Sequence, residues 1–331
     1  MRCAVVGAGA WGTALADVLA RNGHETMLWA REPDVADGIN RKHENRRFLA
    51  GAPLHDSLRA STDLSNVLDG TPELVVFAPP SQVLRRITAE SRPLLGGPTV
   101  AVVASKGIEL NSFSLMTSVV QEELRGASVV ALSGPSFAAE VAARQPTAVV
   151  AASVDDSAAL LTQQAFSAPE FRVYTNDDVI GVELGGSLKN VMAVATGICE
   201  GLGLGFNSRA ALITRGLAEM TRLGTSLGAR PETFAGLAGI GDLVLTCTGS
   251  LSRNRALGAE IGRGMTLDEA LAGKETVAEG VITTRSAYAL AQREGVEMPI
   301  VEAVYRTLFE GLPPRQSISA LMARELRPEQ D

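Results

Sequence analysis

The sequence predicts two domains of different class: an α/β domain built on a parallel-rich sheet over residues 1–178, then an all-α domain over 179–331. Three observations predict it. Up to about residue 175, short apolar runs alternate with amphipathic helical patterns, the βαβ rhythm of a parallel sheet covered by helices. Beyond about residue 178 the strand signal fades, and long helical stretches take over, broken by Gly- and Pro-rich turns. At 331 residues the chain also exceeds what one hydrophobic core ordinarily serves.

In chain order the predicted strands are Cys3–Val6, Glu25–Trp29, Leu74–Ala78, Thr99–Ala104, Val129–Leu132 and Ala148–Ala151, each a short and mostly apolar run. Amphipathic segments lie between them, among them Trp11–Arg21, Gln82–Ser91 and Phe113–Arg125. The second domain reads as helices over 178–200, 208–227, 254–262, 281–294 and 299–310.

An apolar fraction of 46% with 20% charged residues describes a globular chain, and the net charge of −7 argues against nucleic acid as a partner. Cys3, Cys199 and Cys247 are odd in number and far apart, so they make no disulfide framework. His24, His43 and His55 lack metal-ligand spacing, and no metal is expected. No apolar stretch approaches the roughly 18 residues that would span a bilayer. Arg2 and the apolar residues after it could mimic a signal peptide, but a glycine motif inside that stretch explains it better, and a cytoplasmic protein is expected.

That motif is Gly7-Ala8-Gly9-Ala10-Trp11-Gly12, directly after the first strand and opening the first helix. Gly7 permits the tight turn, Gly9 lets backbone approach a pyrophosphate, and Gly12 allows close helix–strand packing. The pyrophosphate would rest on the helix N-terminus, where free N–H groups and the macrodipole favour anions. A Rossmann-like dinucleotide site follows; the competing reading is a plain Gly-rich β–α turn. The second strand ends in Arg31, with Glu32 one place late for the acid that binds a ribose hydroxyl. Arg31 therefore favours NADPH mildly over NADH, unless it is an ordinary solvated arginine.

The chain has thirty basic residues, of which only Lys42, Lys106, Lys189 and Lys274 are lysines. A retained lysine suggests a task that arginine, which never loses its proton, cannot do. Lys189 lies in Gly-Val-Glu-Leu-Gly-Gly-Ser-Leu-Lys-Asn (181–190), and a helix would put Val182, Gly185, Gly186, Met192, Ala193 and Thr196 around it. A cation among small and apolar groups is a proton-transfer group at a ligand site; its alternative is a snorkelling lysine. Glycines within a helix cost roughly 1 kcal/mol each, so their presence implies close approach of a ligand or another backbone.

Three other segments look chemical. Lys106, in Ser-Lys-Gly-Ile-Glu (105–109), follows a strand, and open α/β sheets bind ligands at the carboxyl ends of strands. Gly134-Pro135-Ser136-Phe137-Ala138 likewise joins a strand to a helix. Asp242 ends Gly-Ile-Gly-Asp (239–242), suited to orienting a hydroxyl or the Lys189 ammonium, while Ser252-Arg253-Asn254 opens a helix whose N–H groups and guanidinium suit a phosphate. Cys247 could suggest a thiolate nucleophile, but a buried structural cysteine fits better.

Taken in order, GAGAWGTALA (7–16), SKGIE (105–109), GPSFAAEV (134–141), GVELGGSLKNV (181–191), GLAGIGDLVLTC (236–247), SRN (252–254) and VAEG (277–280) closely resemble the NAD(P)-dependent glycerol-3-phosphate dehydrogenases of bacterial type. The resemblance implies reversible reduction of dihydroxyacetone phosphate to sn-glycerol 3-phosphate by NAD(P)H, supplying glycerophospholipid synthesis. It implies that Ala10, Trp11 and Arg31 touch the dinucleotide and that Ala138, Val277 and Glu279 close over it. Lys106 would contact cofactor and substrate, and Arg253 would lie near both. Gly134, Ser136, Asp242, Ser252, Arg253 and Asn254 would hold the substrate, with Lys189 as general acid/base. Ala10 stands where a serine is common, which removes a side-chain hydrogen bond there. The partner is a phosphorylated small molecule, with a homodimer among the assemblies allowed. Two other readings compete: a related dehydrogenase of a 3-hydroxy acid or ketopantoate-like substrate, and a non-enzymatic NADPH-binding regulator.

Overall fold

The computed structural model describes residues 1–273, 278–326 and 328–329. Its first half is one eight-stranded sheet: β1 Arg2–Val6, β2 Glu25–Trp29, β3 Arg59–Ser61, β4 Leu74–Phe77, β5 Val100–Val103, β6 Ser128–Ser133, β7 Thr147–Ala152 and β8 Phe171–Asn176. The spatial order is β3-β2-β1-β4-β5-β6-β7-β8, parallel throughout except for the antiparallel β6–β7 pair. Helices α1 Ala10–Arg21, α2 Pro33–Lys42, α3 Leu64–Leu68, α4 Leu84–Ser91, α5 Met116–Glu123, α6 Ala138–Ala142 and α7 Asp156–Phe166 surround it. The central strands are wholly buried, as at Leu74–Phe77, because helices cover both faces. The strand order reverses between β1 and β4, so the crevice at their carboxyl ends is where an α/β sheet of this kind binds ligands.

All six predicted strands are present within a residue or so of their expected ends. Two strands were not expected. β3 is three residues of Arg-Ala-Ser, and β8 alternates Phe171 and Val173 inward with Arg172 and Tyr174 outward. Both lie at sheet edges, where one strand neighbour is missing and continuous apolar sequence is not required. Phe113 leaves the expected helix: its φ of 59° places it in a loop, and α5 begins at Met116.

After Asn176 the described chain is helical: α8 Val179–Gly201, α9 Phe206–Ser226, α10 Pro231–Phe234, α11 Asp242–Thr248, α12 Arg253–Gly262, α13 Leu267–Leu271, α14 Glu279–Glu294, α15 Pro299–Phe309 and α16 Pro314–Met322. α8 is the axis of this half, buried without interruption from Gly181 to Cys199. It begins with Asp178, whose carboxylate accepts from Gly181 N at 2.9 Å. Glycines let α8 meet its neighbours backbone to backbone. A Cβ at Gly258 of α12 would lie 2.1 Å from Val194 O, and one at Gly185 would lie 2.3 Å from Ala238 O. The helix glycines are thus used for close approach by other chain segments. No single described helix is long and apolar enough to cross a membrane.

Candidate active site

At the carboxyl end of β1 the glycine turn divides its labour. Gly7 has φ +116°, and a Cβ there would strike Ala78 C at 2.9 Å; a Cβ at Gly12 would lie 1.9 Å from Gly7 O. Those two glycines are required by the chain itself. Around the Cβ position of Gly9, by contrast, nothing lies within 4 Å. Gly9 is the N-cap of α1, and the first helical bond runs from Thr13 N to Gly9 O, so the N–H groups of Ala10, Trp11 and Gly12 have no helical acceptor. Open space above uncommitted N–H donors fits a dinucleotide pyrophosphate. Ala10, Trp11 and Ala138 are half-buried together around this turn, and the buried Trp11 indole N–H has no partner among the described residues. At the end of β2, Arg31 is largely exposed and pairs with its neighbour, with Nε and Nη2 donating to Glu32 Oε1 at 3.0 and 2.7 Å.

Glu279, the first residue of α14, reaches back to the sheet half. Its carboxylate accepts from Ser81 N at 3.0 Å and Ser81 Oγ at 2.6 Å. Burial raises its pKa, opposed by the Ser81 hydrogen bonds and by the charge of Arg253. Val277 lies outside the described residues.

The chemical centre lies where α8 meets the β5 and β6 ends. Asp242 is completely buried and takes a lysine on each carboxylate oxygen: Lys106 Nζ donates to Oδ2 at 2.7 Å, and Lys189 Nζ donates to Oδ1. Lys106 comes from the turn after β5, Lys189 from mid-α8 and Asp242 from the start of α11. The turn before Asp242, Leu237–Gly241, is a π-helical segment kinked at Gly239, a distortion often found where a helix start is aimed at a site. Lys106 Nζ also donates to Gly134 O at 3.2 Å, which Ser136 Oγ contacts at 3.0 Å. Gly134, at φ +137°, thus presents its carbonyl to both residues.

Two ammoniums share one carboxylate, so the cluster is cationic and suits an anionic ligand or a developing oxyanion. Burial lowers the Lys189 pKa from its ordinary value to about 8, Asp242 works against that shift, and Lys106 adds to it. A lysine titrating near neutrality both gives and takes a proton readily. The Cys247 thiol is pushed up to about 12 by burial, which excludes it as a nucleophile.

Ser252 caps α12, accepting from Arg255 N at 3.3 Å, and leaves Arg253 exposed at the helix start. Asn254 is turned inward: its Nδ2 donates to Asn190 Oδ1 at 3.0 Å, and its Oδ1 accepts from Gly280 N at 3.1 Å. The residue after Lys189 is therefore tied to the first turns of α12 and α14. Asn190 was within the motif read from sequence but carried no role there. Ser187, whose Oγ donates to Gly107 O at 3.1 Å beside Lys106, lies in the same motif and likewise carried no role, whereas Ser81 stands in no motif. Among the described residues, no three His, Cys, Asp or Glu side chains could hold a metal ion.

Family models for the NAD-dependent glycerol-3-phosphate dehydrogenase N-terminus and C-terminus match residues 2–159 and 178–319. Glycerol-3-phosphate dehydrogenase (NAD(P)+) of Geobacter sulfurreducens is 54% identical over 333 residues, covering 99% of this chain and 98% of that protein. The protein of the same name from Syntrophotalea carbinolica is 51% identical over the full length of both. Among solved structures, glycerol-3-phosphate dehydrogenase from Coxiella burnetii aligns with a TM-score of 0.93 at 43% identity, covering 98% of this chain and 99% of that one. A ketopantoate reductase from Ralstonia eutropha shares the fold alone, with a TM-score of 0.63 at 16% identity.

Proposed function

The chain belongs to the NAD-dependent glycerol-3-phosphate dehydrogenase family, and on that premise we propose that Lys189 is the general acid/base of its interconversion of dihydroxyacetone phosphate and sn-glycerol 3-phosphate. The observation that carries this role is the Lys106–Asp242–Lys189 cluster, in which Asp242 and Lys189 are buried and Lys189 is lowered to about 8. NAD(P)H, held when bound by the glycine turn with Gly9, Ala10 and Trp11, supplies the hydride. Lys189 gives its proton to the oxygen that becomes the alkoxide during reduction and takes it back during oxidation. Asp242 fixes the ammonium in place, and Lys106 favours proton release by placing a second positive charge nearby.

The substrate phosphate is assigned to the α12 start, where the Arg253 side chain and the free backbone N–H groups of Arg253 and Asn254 converge, with Ser252 shaping the turn and the inward Asn254 side chain tying it to Asn190. Gly134 and Ser136 bound the same cleft from the sheet side. Glu279 and Ala138 are assigned to the cofactor, and Arg31 to its adenosine ribose, giving a mild preference for NADPH. The two domains are divided at residue 178, and the enzyme is assigned to the cytoplasm, where its product supplies glycerophospholipid synthesis.

The direct test is oxidation of NAD(P)H by the purified protein with dihydroxyacetone phosphate, acetoacetate, ketopantoate and unphosphorylated dihydroxyacetone. Fast turnover should be confined to the first, with unphosphorylated dihydroxyacetone a very poor substrate. Equal or faster turnover of a carboxylate substrate would reassign Arg253 to a carboxylate clamp.

A further inference from the structure

Asn45 lies in the segment between α2 and β3, far from every motif described above, yet it is fully buried against the glycine turn. Its Nδ2 donates to Ala8 O at 2.9 Å and to Thr13 Oγ1 at 2.9 Å, while Thr13 Oγ1 donates to the same Ala8 O at 3.2 Å. Its Oδ1 accepts from Phe48 N at 3.1 Å, which fixes which end of the amide faces Ala8. Farther along the same segment, His55 N donates to Asp17 Oδ1 of α1 at 2.7 Å. The segment is thus fastened to α1 at two points, and every polar atom of the Asn45 side chain is used.

The Ala8 carbonyl and the Gly9 N–H belong to one planar trans peptide, so they point in opposite directions. Two donors pull that carbonyl inward. The Gly9 N–H is thereby directed away from Asn45 and Thr13, and beside it the space around the Gly9 Cβ position is open. With the peptide turned over, a carbonyl oxygen would face the place assigned to the pyrophosphate. We propose that Asn45, with Thr13, is a positioning residue that sets the Ala8–Gly9 peptide plane and so presents the Gly9 N–H to the cofactor's anionic pyrophosphate. This rests on the dinucleotide reading of the glycine turn.

The test is titration of NADPH into the purified full-length chain and its variants, followed by nicotinamide fluorescence, with thermal unfolding measured in parallel. Asn45→Asp keeps the shape, removes both donors and adds a negative charge. It should raise the Kd for NADPH by at least about 30-fold, while kcat at saturating NADPH stays within about threefold. Thr13→Val should raise the Kd by roughly five- to tenfold, and Thr13→Ser should restore it. A purely structural role predicts lower melting temperatures with unchanged Kd in the folded protein, and that result would overturn the proposal. Should Asn45→Asp not fold, the Thr13 pair decides: Thr13→Val with wild-type Kd overturns it, and a raised Kd rescued by serine supports it. A wild-type chain that fails to bind NADPH would instead sink the dinucleotide reading on which the proposal rests.

Discussion

At the end of β1 the proposed anion site consists of uncharged groups: helix N–H donors, a glycine turn, and the Asn45 and Thr13 side chains behind it. Where α8 meets α11, buried Lys189 and Asp242 meet half-buried Lys106, and the carboxylate between the two lysines has no exposure at all. Backbone dipoles hold an anion without titrating near neutrality, so the first site binds over a wide pH range. Buried charges carry a desolvation penalty of several kcal/mol each, offset only when every partner is present. In the second site Lys189 therefore titrates near neutrality, and the site is fragile. Binding is assigned to the first material and proton transfer to the second.

The contrast is broken most severely by Asp242→Asn, which leaves buried Lys189 and half-buried Lys106 without a counter-ion. Turnover should fall by at least about 100-fold and stability by about 3–5 kcal/mol, while the Kd for NADPH stays within about threefold. Steady-state kinetics, denaturant unfolding and NADPH titration check the three parts. Preserved turnover would mean that the cluster is structural.

Arg253→Ala should weaken dihydroxyacetone phosphate binding by roughly 1.5–3 kcal/mol and leave the slow reaction of dihydroxyacetone unchanged. Equal loss on both substrates would place Arg253 away from the phosphate.

A buried carboxyl outside the cleft sharpens the point that burial alone makes a group titrate. Glu219 of α9 accepts from Ile300 N at 2.7 Å and Val301 N at 3.2 Å at the start of α15, and burial raises its pKa to about 7. Glu183 of α8, held by Thr117, is raised similarly, again by burial. A folded-state pKa above the unfolded one means that the folded protein binds the extra proton. The associated stability is then full below the ordinary carboxyl pKa and is lost as pH rises to about 7. Thermal unfolding should show a melting temperature falling over that window, and Glu219→Gln should flatten the fall. A wild-type curve rising across it would contradict the assignment.

The smallest effect is expected at Arg31, which is exposed, paired with Glu32 and screened by salt. Arg31→Ala should weaken NADPH binding by up to about 1 kcal/mol and leave NADH nearly unchanged. Equal losses for both would mean that Arg31 stacks on the adenine.

How much of this was legible beforehand follows the same division. The buried strands announced themselves as apolar runs, whereas β8, half of whose side chains face outward, did not. Lys189 was conspicuous because a charge amid glycines and apolar residues has few explanations. The sequence offers Asp242 as a partner for a hydroxyl or for Lys189, but gives no sign of its second lysine, since Lys106 lies 136 residues away and only the sheet brings it near. Asn45 left no local signal: an asparagine in a polar loop is commonplace, and its burial against Ala8 exists only once α2, the following loop and α1 have packed. Neutral positioning groups are hidden in sequence for the same reason that they are stable when buried, because they need only geometry.

The most direct measurement of Lys189 as the proton donor is the pH dependence of kcat/KM in both directions, for the wild type and for Lys189→Arg. In the reductive direction the protonated lysine is active, so the rate should fall as pH rises through about 8; in the oxidative direction it should rise over the same interval. Lys189→Arg keeps the charge but cannot release its proton, and should lose at least about 100-fold in both directions. Opposed profiles of this kind, lost in the arginine variant, are the expected result. Parallel or flat profiles, or an arginine variant with near-normal turnover, would contradict proton transfer by Lys189.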